Sequence, residues 1–271
     1  MPKRRGLLAR FVNERQAARR YVFTTADVAA LGLSQSASYA ALGRLVDTGR
    51  IAKVGGRRGV WMVVPHEYQN VGAPPAAWIL DDVMTALGTA YYVGLRSAAE
   101  WYGATHHAVQ VVQVVVPGRV HSFTVGRERV RFIQKHSAGS TPVRRLPGPV
   151  TMLRVSTPEA TALDLVRFMD DAGGLNAVAG VLRQMVAGCT ADGMREALNA
   201  AQDVPSAQRL GCLLEVVDRS ALAPTVAAWL RPHRPRVVPL ELGPQSGGAS
   251  SSAHVDPTWR VTIARAVDAS L

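Results

Sequence analysis

Two guanidinium groups stand side by side in Gly55-Gly56-Arg57-Arg58-Gly59, and Arg44, Arg50 and Lys53 precede them closely. Arginine forks match phosphate oxygens and guanine edges through planar, paired hydrogen bonds. These five side chains are therefore suited to the backbone or minor groove of a nucleic acid. Upstream lie Gln35, Ser36 and Tyr39, whose amide, hydroxyl and phenol can donate to and accept from base edges. The chemistry on offer in this stretch is recognition of a charged polymer by hydrogen bonding.

Motifs for bond-making chemistry are missing. A nucleophile elbow needs Gly-x-Ser-x-Gly, and a phosphate-cradling loop needs Gly-x4-Gly-Lys-Ser/Thr; the sequence holds neither. The glycine cluster around Arg57 does not open a helix, so it is no dinucleotide fingerprint. A metal-dependent nuclease needs clustered carboxylates beside a lysine, yet the only lysines are Lys3, Lys53 and Lys135. Ile133 stands where an acid is required before Lys135, and the pairs Asp81-Asp82 and Asp170-Asp171 diverge on a helix. Gly139-Ser140 is followed by no acid until Glu159, which excludes a nucleotidyltransferase signature. His106-His107 is the only close histidine pair, and Ser97 with Glu100 lacks a base partner. No catalytic residue, metal centre or cofactor is expected.

The recognition residues need elements to hold them. Leu7, Leu8, Phe11 and Val12 recur at helical spacing and predict a helix over roughly 5–19. Thr24-Thr25-Ala26-Asp27 supplies a capping hydroxyl and a first-turn acid for a short second helix, broken at Gly32. Ser34 caps a longer helix that runs to about Thr48, with Gly49 as its stop. Within it Ser38, Ala41, Leu42 and Leu45 share an inward stripe, while Ser36, Ala40, Gly43 and Asp47 lie opposite and Tyr39 and Arg44 lie on the flanks. Two β-prone runs, 50–54 and 60–64, then flank the glycine-rich tip as a hairpin. Helix-turn-helix followed by a basic hairpin is a winged helix. Such recognition helices reach bases through their N-terminal residues, which singles out Gln35, Ser36 and Tyr39. Arg44, Arg50, Lys53, Arg57 and Arg58 are then the phosphate or minor-groove set, and Thr24, Thr25 and Ser34 at the helix starts complete the DNA-facing residues.

The charge balance agrees. Of 271 residues, 31 are Lys or Arg and 20 are Asp or Glu, for a net charge of +11. Residues 1–60 hold twelve basic and three acidic side chains, so most of the net charge sits on that segment. A compact basic segment is the electrostatic footprint of nucleic-acid binding; a basic membrane-surface helix is the rival explanation. Residues 96–167 carry ten basic and four acidic side chains, and a second basic surface is expected around Arg96, Arg119, Arg127, Arg129 and Arg131. Apolar residues make up 48%, enough for a sizeable core, and no stretch is long and apolar enough to span a membrane. Cys189 and Cys212 have no second pair to complete a zinc site and are expected as free thiols in a reducing cytoplasm.

The chain is expected to be α+β, with a winged helix-turn-helix over 1–70 and a larger mixed α/β domain over 71–271. Residues 67–75 read as a linker. Helices are predicted over 76–87 and 94–102, and strands over 109–116, 120–125, 129–135 and 150–155. Helical patterns follow from Pro158 to about Leu230, with short strand-like pieces at 236–240 and 259–263 and a Gly/Ser-rich loop over 243–253. At 156–159 either Ser156 and Glu159 form a capping box, or Thr157 caps and Pro158 takes the first helical position.

Several segments resemble the AbiEi antitoxin family. They are Tyr91-Tyr92-Val93-Gly94-Leu95-Arg96-Ser97-Ala98-Ala99-Glu100-Trp101-Tyr102-Gly103, the strand ending Val114-Val115-Val116-Pro117, and Val155-Ser156-Thr157-Pro158-Glu159-Ala160-Thr161-Ala162-Leu163-Asp164-Leu165-Val166. Asn176-Ala177-Val178 and the winged helix add to the resemblance, and Asp256-Pro257-Thr258-Trp259 echoes it. Ala160 departs from it, standing where a basic residue is expected. The resemblance implies a DNA-binding autorepressor and antitoxin of a phage-defence toxin–antitoxin system. It further implies double-stranded promoter DNA with inverted repeats as one partner and a nucleotidyltransferase toxin as the other, opposed with or without a stable complex. The alternative is a one-component winged-helix regulator whose large domain senses a ligand.

Overall fold

The computed structural model describes residues 6–55, 57, 59–104, 111–217, 220–241 and 253–268. These form an α+β protein of two compact units that take the chain in interleaved segments. One unit gathers residues 1–91, 110–136 and 145–154; the other gathers 92–109, 137–144 and 155–271. The sequence division at residue 70 thus separates elements by chain order, whereas packing assigns three later strands, and residues 145–147 and 152–154 of two more, to the unit of the winged helix.

The first unit begins with helix α1 (Leu7–Ala17), strand β1 (Val22–Thr24), helix α2 (Thr25–Ala29) and helix α3 (Gln35–Asp47). Strands β2 (Ile51–Lys53) and β3 (Val60–Val63) close an antiparallel sheet in the order β1-β3-β2, with Phe23 opposite Trp61 and Ala52 opposite Met62. This is the expected winged helix. Leu8, Val12, Phe23, Val28, Leu42, Leu45 and Ile51 fill its core, and Phe11 meets Phe23 edge-on at 5.6 Å. The segment expected as a linker carries a 3-10 turn, His66–Tyr68, whose Tyr68 ring packs on Trp78 at 5.2 Å. Trp78 belongs to helix α4 (Ala76–Ala86), and the Tyr21 ring also packs on it, tilted, at 5.2 Å.

Strand β4 (Tyr92–Val93) and helix α5 (Leu95–Trp101) belong to the second unit. The first unit resumes with β5 (Val111–Val116), β6 (Phe123–Val125) and β7 (Glu128–Gln134). β7 lies between the other two, parallel to β5 and antiparallel to β6. Helix α4 starts after Pro75 with no local side-chain cap, and Glu128 at the start of β7 supplies it by accepting from the Ala76 N–H at 2.6 Å. The predicted strand over 109–116 is described from Val111 onward; its first two residues lie outside the described ones.

Strand β8 (Val143–Pro147) has no counterpart among the strands that the sequence pattern predicts. Its sequence, Val-Arg-Arg-Leu-Pro, exposes both arginines in succession and lacks the alternation that marks a half-buried strand. β9 (Met152–Ser156) follows, and its Val155 pairs with Val93 of β4 in parallel.

In the second unit helix α6 (Pro158–Arg167) is the hub. Every residue from Pro158 to Val166 is buried, the mark of a helix surrounded by others. Thr157 caps it by accepting from the Ala160 N–H, and Pro158 takes the first turn. Ser156 is not part of a capping box: its hydroxyl pairs with Thr161 at 2.7 Å. Buried polar groups need partners, and each here has one. Tyr92 donates to Asp164 at 2.7 Å, and burial beside that carboxylate pushes the Tyr92 phenol far above its ordinary pKa. Ala160 is buried, so the missing basic residue leaves no surface position vacant.

Helices α7 (Leu175–Met185), α8 (Ala191–Ala201), α9 (Val204–Val216) and α10 (Ala223–Leu230) complete the helical layer. Strands β10 (Val238–Pro239), β11 (His254–Asp256) and β12 (Val261–Ile263) form a small sheet in the order β10-β12-β11. The Gly/Ser-rich loop expected over 243–253 lies outside the described residues except for Ala253.

Glu159 ties α6 to α8. Its buried Oε1 accepts from the Thr190 N–H at 2.9 Å, and from the Thr190 hydroxyl, at the residue that caps α8. Glu159→Ala strips these donors of their acceptor and should cost about 2–3 kcal/mol, read as a lower urea midpoint. An unchanged midpoint would mean that the carboxylate does not hold the start of α8.

Candidate nucleic-acid interface

The surface offered by α3 follows from its caps and stripe. The Ser34 hydroxyl accepts from the Ala37 N–H at 3.3 Å, which fixes where the helix begins. Ser38, Leu42 and Leu45 turn inward and are buried. Gln35, Ser36, Ala40, Gly43, Arg44 and Asp47 are exposed, and Tyr39 is 59% exposed although it is a large aromatic. A polar, small-residue face with a protruding tyrosine at its N-terminal half is therefore open to solvent. Gly43 and Ala40 leave room for close approach by a backbone.

The start of α2 divides the two threonines. Thr24 forms a full capping box: its hydroxyl faces the Asp27 N–H and carboxylate, and Asp27 in turn accepts from the Thr24 N–H at 2.7 Å. That hydroxyl is engaged within the chain. Thr25 is exposed, with its N–H bonded to the carbonyl of Gly59, the last residue of the glycine-rich tip.

Among the basic set, Arg44 is exposed at the flank of α3, and Lys53 is exposed with its ammonium 5.5 Å from the centre of the Trp61 ring. Arg50 is half-buried and donates to the Asn13 side-chain oxygen. Arg58 lies outside the described residues.

Arg57 is held inside its own unit. It donates to the His121 carbonyl at 2.7 Å, and its guanidinium carbon lies 5.2 Å from the Phe123 ring centre and 5.8 Å from that of Phe132. Burial pushes its pKa below the ordinary arginine value. Gly55 sits on the same aromatic seat, at φ +53. The wing therefore rests on β6 and β7, and Arg57 acts there as an anchor, not as an outstretched contact. The seat carries no signal in the sequence. Phe123 and Phe132 are two of only five phenylalanines, but a pair of aromatics on adjacent strands is indistinguishable from ordinary core.

Register explains the rest of that sheet. Phe123 lies opposite Val130, and Thr124 opposite Arg129. Side chains alternate along a strand, so Phe123, Val130 and Phe132 share the face that seats the wing, and Arg129 and Arg131 lie on the other. Arg119, Arg127, Arg129 and Arg131 are all exposed in this unit. Arg96 is half-buried and belongs to the second unit, with a guanidinium nitrogen close to Gly173.

No group of three or more His, Cys, Asp or Glu able to hold a metal ion occurs among the described residues. His106 and His107 lie outside them. Ser97 is buried and Glu100 is exposed. Cys189 and Cys212 are free thiols, each pushed up to about 12 by burial. Asp81 accepts from the Tyr91 hydroxyl at 2.7 Å, which gives that carboxylate a structural role. Among the described residues no helix is long and apolar enough to cross a membrane.

A three-helix winged fold with a polar, exposed second helix of its helix-turn-helix defines a transcription-regulator class. Residues 10–64 match the family model described as a transcriptional regulator, AbiEi antitoxin, and residues 92–216 match that of the AbiEi antitoxin C-terminal domain. Together these matches span about two thirds of the 271 residues, and the chain belongs to the AbiEi antitoxin family. It therefore carries a regulator domain and an antitoxin domain. The fold is similar to the crystal structure of the RV2827C protein from Mycobacterium tuberculosis, with a TM-score of 0.61 and 16% identity, covering 94% of this chain and 90% of that one. No curated protein matches the sequence.

Proposed function

We propose that this protein represses the promoter of its own operon and opposes, as antitoxin, a nucleotidyltransferase toxin encoded beside it. It does so in the cytoplasm and without a catalytic step of its own. The observation that carries the repressor half is the exposure of Gln35, Ser36, Tyr39 and Arg44 on a helix whose other face, Ser38, Leu42 and Leu45, is buried. α3 enters the major groove with its N-terminal turn toward the bases. Gln35 reads a base edge, Tyr39 packs on the groove wall, and Arg44 and Lys53 neutralise flanking phosphates. The antitoxin half is supported by the match over 92–216.

A reporter fused to the chain's upstream DNA tests both halves. The wild-type protein should lower expression, and Gln35→Ala/Tyr39→Ala should restore it while still rescuing cells that express the neighbouring toxin. Repression that survives the double substitution would contradict the assignment of α3. Failure of the wild-type protein to rescue would contradict the antitoxin assignment.

A further inference from the structure

Residues 231–237, which follow α10, read Arg-Pro-His-Arg-Pro-Arg-Val. Arg231, His233, Arg234 and Arg236 are exposed. Neither family match reaches this segment. The backbone fixes it in place: α9 presents Gln208, whose buried amide donates to the carbonyls of both Arg236 and Trp259 at 2.8 Å and to that of Arg260 at 3.3 Å. Arg236 and exposed Arg260 are thereby brought together on the small sheet.

Three features separate this surface from an ordinary solvated charge run. First, two acids of this region are occupied: Arg265 binds Glu241 through two nitrogens, and Asp256 caps its own turn by accepting from the Thr258 and Trp259 N–H groups. None of Arg231, Arg234, Arg236 and Arg260 has a carboxylate partner among the described residues. Second, Arg234 and Arg260 hold left-handed backbone, at φ 46 and 54, where an arginine is strained. Such strain persists where surrounding structure imposes it and clusters at binding sites. Third, the His233 ring is stacked on Trp229 at 4.1 Å, and its Nδ1 lies 2.7 Å from the Trp229 carbonyl. The imidazole of this exposed residue is thus held in a fixed plane against Trp229.

We infer that this arginine surface binds single-stranded nucleic acid, with Arg231, Arg234, Arg236 and Arg260 on successive phosphates and the His233 ring as a stacking platform for one base. Guanidinium groups beside a held aromatic ring are the recognition chemistry of unpaired strands. An acidic protein would use the charges but not the ring.

The test measures anisotropy of the full chain with a labelled single-stranded RNA of about 12 nucleotides, long enough to span such a surface. Upstream duplex DNA is the parallel probe. Arg231→Gln/Arg234→Gly/Arg236→Gln should weaken RNA binding about tenfold and flatten its salt slope by about 2, leaving the duplex within about twofold. His233→Ala should cost about fivefold on RNA with the slope unchanged. Arg234→Gly alone relieves backbone strain, so it should raise Tm by about 2 °C while weakening RNA binding, a combination no structural role produces. RNA binding unmoved by the triple variant overturns the inference, as does an equal loss on RNA and duplex. Displacement of the labelled RNA by polyglutamate as readily as by unlabelled RNA of equal charge overturns it in favour of an acidic protein partner.

Discussion

Gly211→Ala should lower the stability of the second unit by about 3 kcal/mol, one of the larger single-methyl effects this chain can show. A Cβ at Gly211, in the middle of α9, would come within 2.0 Å of the Trp259 ring, which is 1% exposed and has no room to retreat. Alanine favours helix by about 1 kcal/mol over glycine, so the clash is opposed by propensity and still dominates. Thermal unfolding should show a midpoint lower by about 10 °C. Gly211→Ala combined with Trp259→Leu should recover part of that loss, because a smaller side chain vacates the space. A midpoint at or above wild type for Gly211→Ala alone would mean that Trp259 does not pack against α9.

Gly55→Ala should free the wing. Its Cβ would fall 2.2 Å from the Phe123 Cβ, and the backbone there sits at φ +53, where alanine is also disfavoured. The wing must lift from β6 and β7 or shift them, and about a tenfold loss of duplex affinity follows from its disorder. Arg57→Ala probes the same seat from the side-chain end. It removes a hydrogen bond and two ring contacts, about 1–2 kcal/mol of stability. Because that guanidinium is engaged by His121, Phe123 and Phe132, its loss should leave the salt slope of DNA binding unchanged. A slope flattened by about 1 on Arg57→Ala would show that it leaves its seat and meets a phosphate.

The winged helix was legible because its signals are local. Thr24 and Ser34 cap where their spacing from the apolar stripes says they must, and Ser38, Leu42 and Leu45 are buried as the helical period requires. Sequence spacing also separated the two roles within α3, since exposure there depends only on which side of one helix faces the core. The fate of Arg57 was not legible. A guanidinium flanked by glycines reads the same whether it meets phosphate or two aromatic rings, and those rings lie more than sixty residues away in the chain. Thr24 illustrates the same limit at short range, since its hydroxyl is consumed by Asp27.

The larger domain shows the converse. The segment from Ser156 to Val166, which carries the family resemblance, is almost entirely buried, and its polar members serve packing: Glu159 on Thr190, Thr161 on Ser156, Asp164 under Tyr92. Those residues define the fold of the domain. Its exposed chemistry lies elsewhere, in segments such as 231–237, whose charges give no periodic signal and whose strain at Arg234 is invisible in sequence.

If α3 and its flanking cations form a DNA-reading surface, salt-titrated binding to the chain's own upstream duplex will show it. Wild-type protein should bind that duplex at least about a thousandfold more tightly than scrambled DNA. Gln35→Ala/Tyr39→Ala should erase most of the difference with the slope intact, and Arg44→Ala should flatten the slope by about 0.9. Equal affinity for upstream and scrambled duplexes, with a slope indifferent to Arg44, would leave the basic segment without a DNA-reading role.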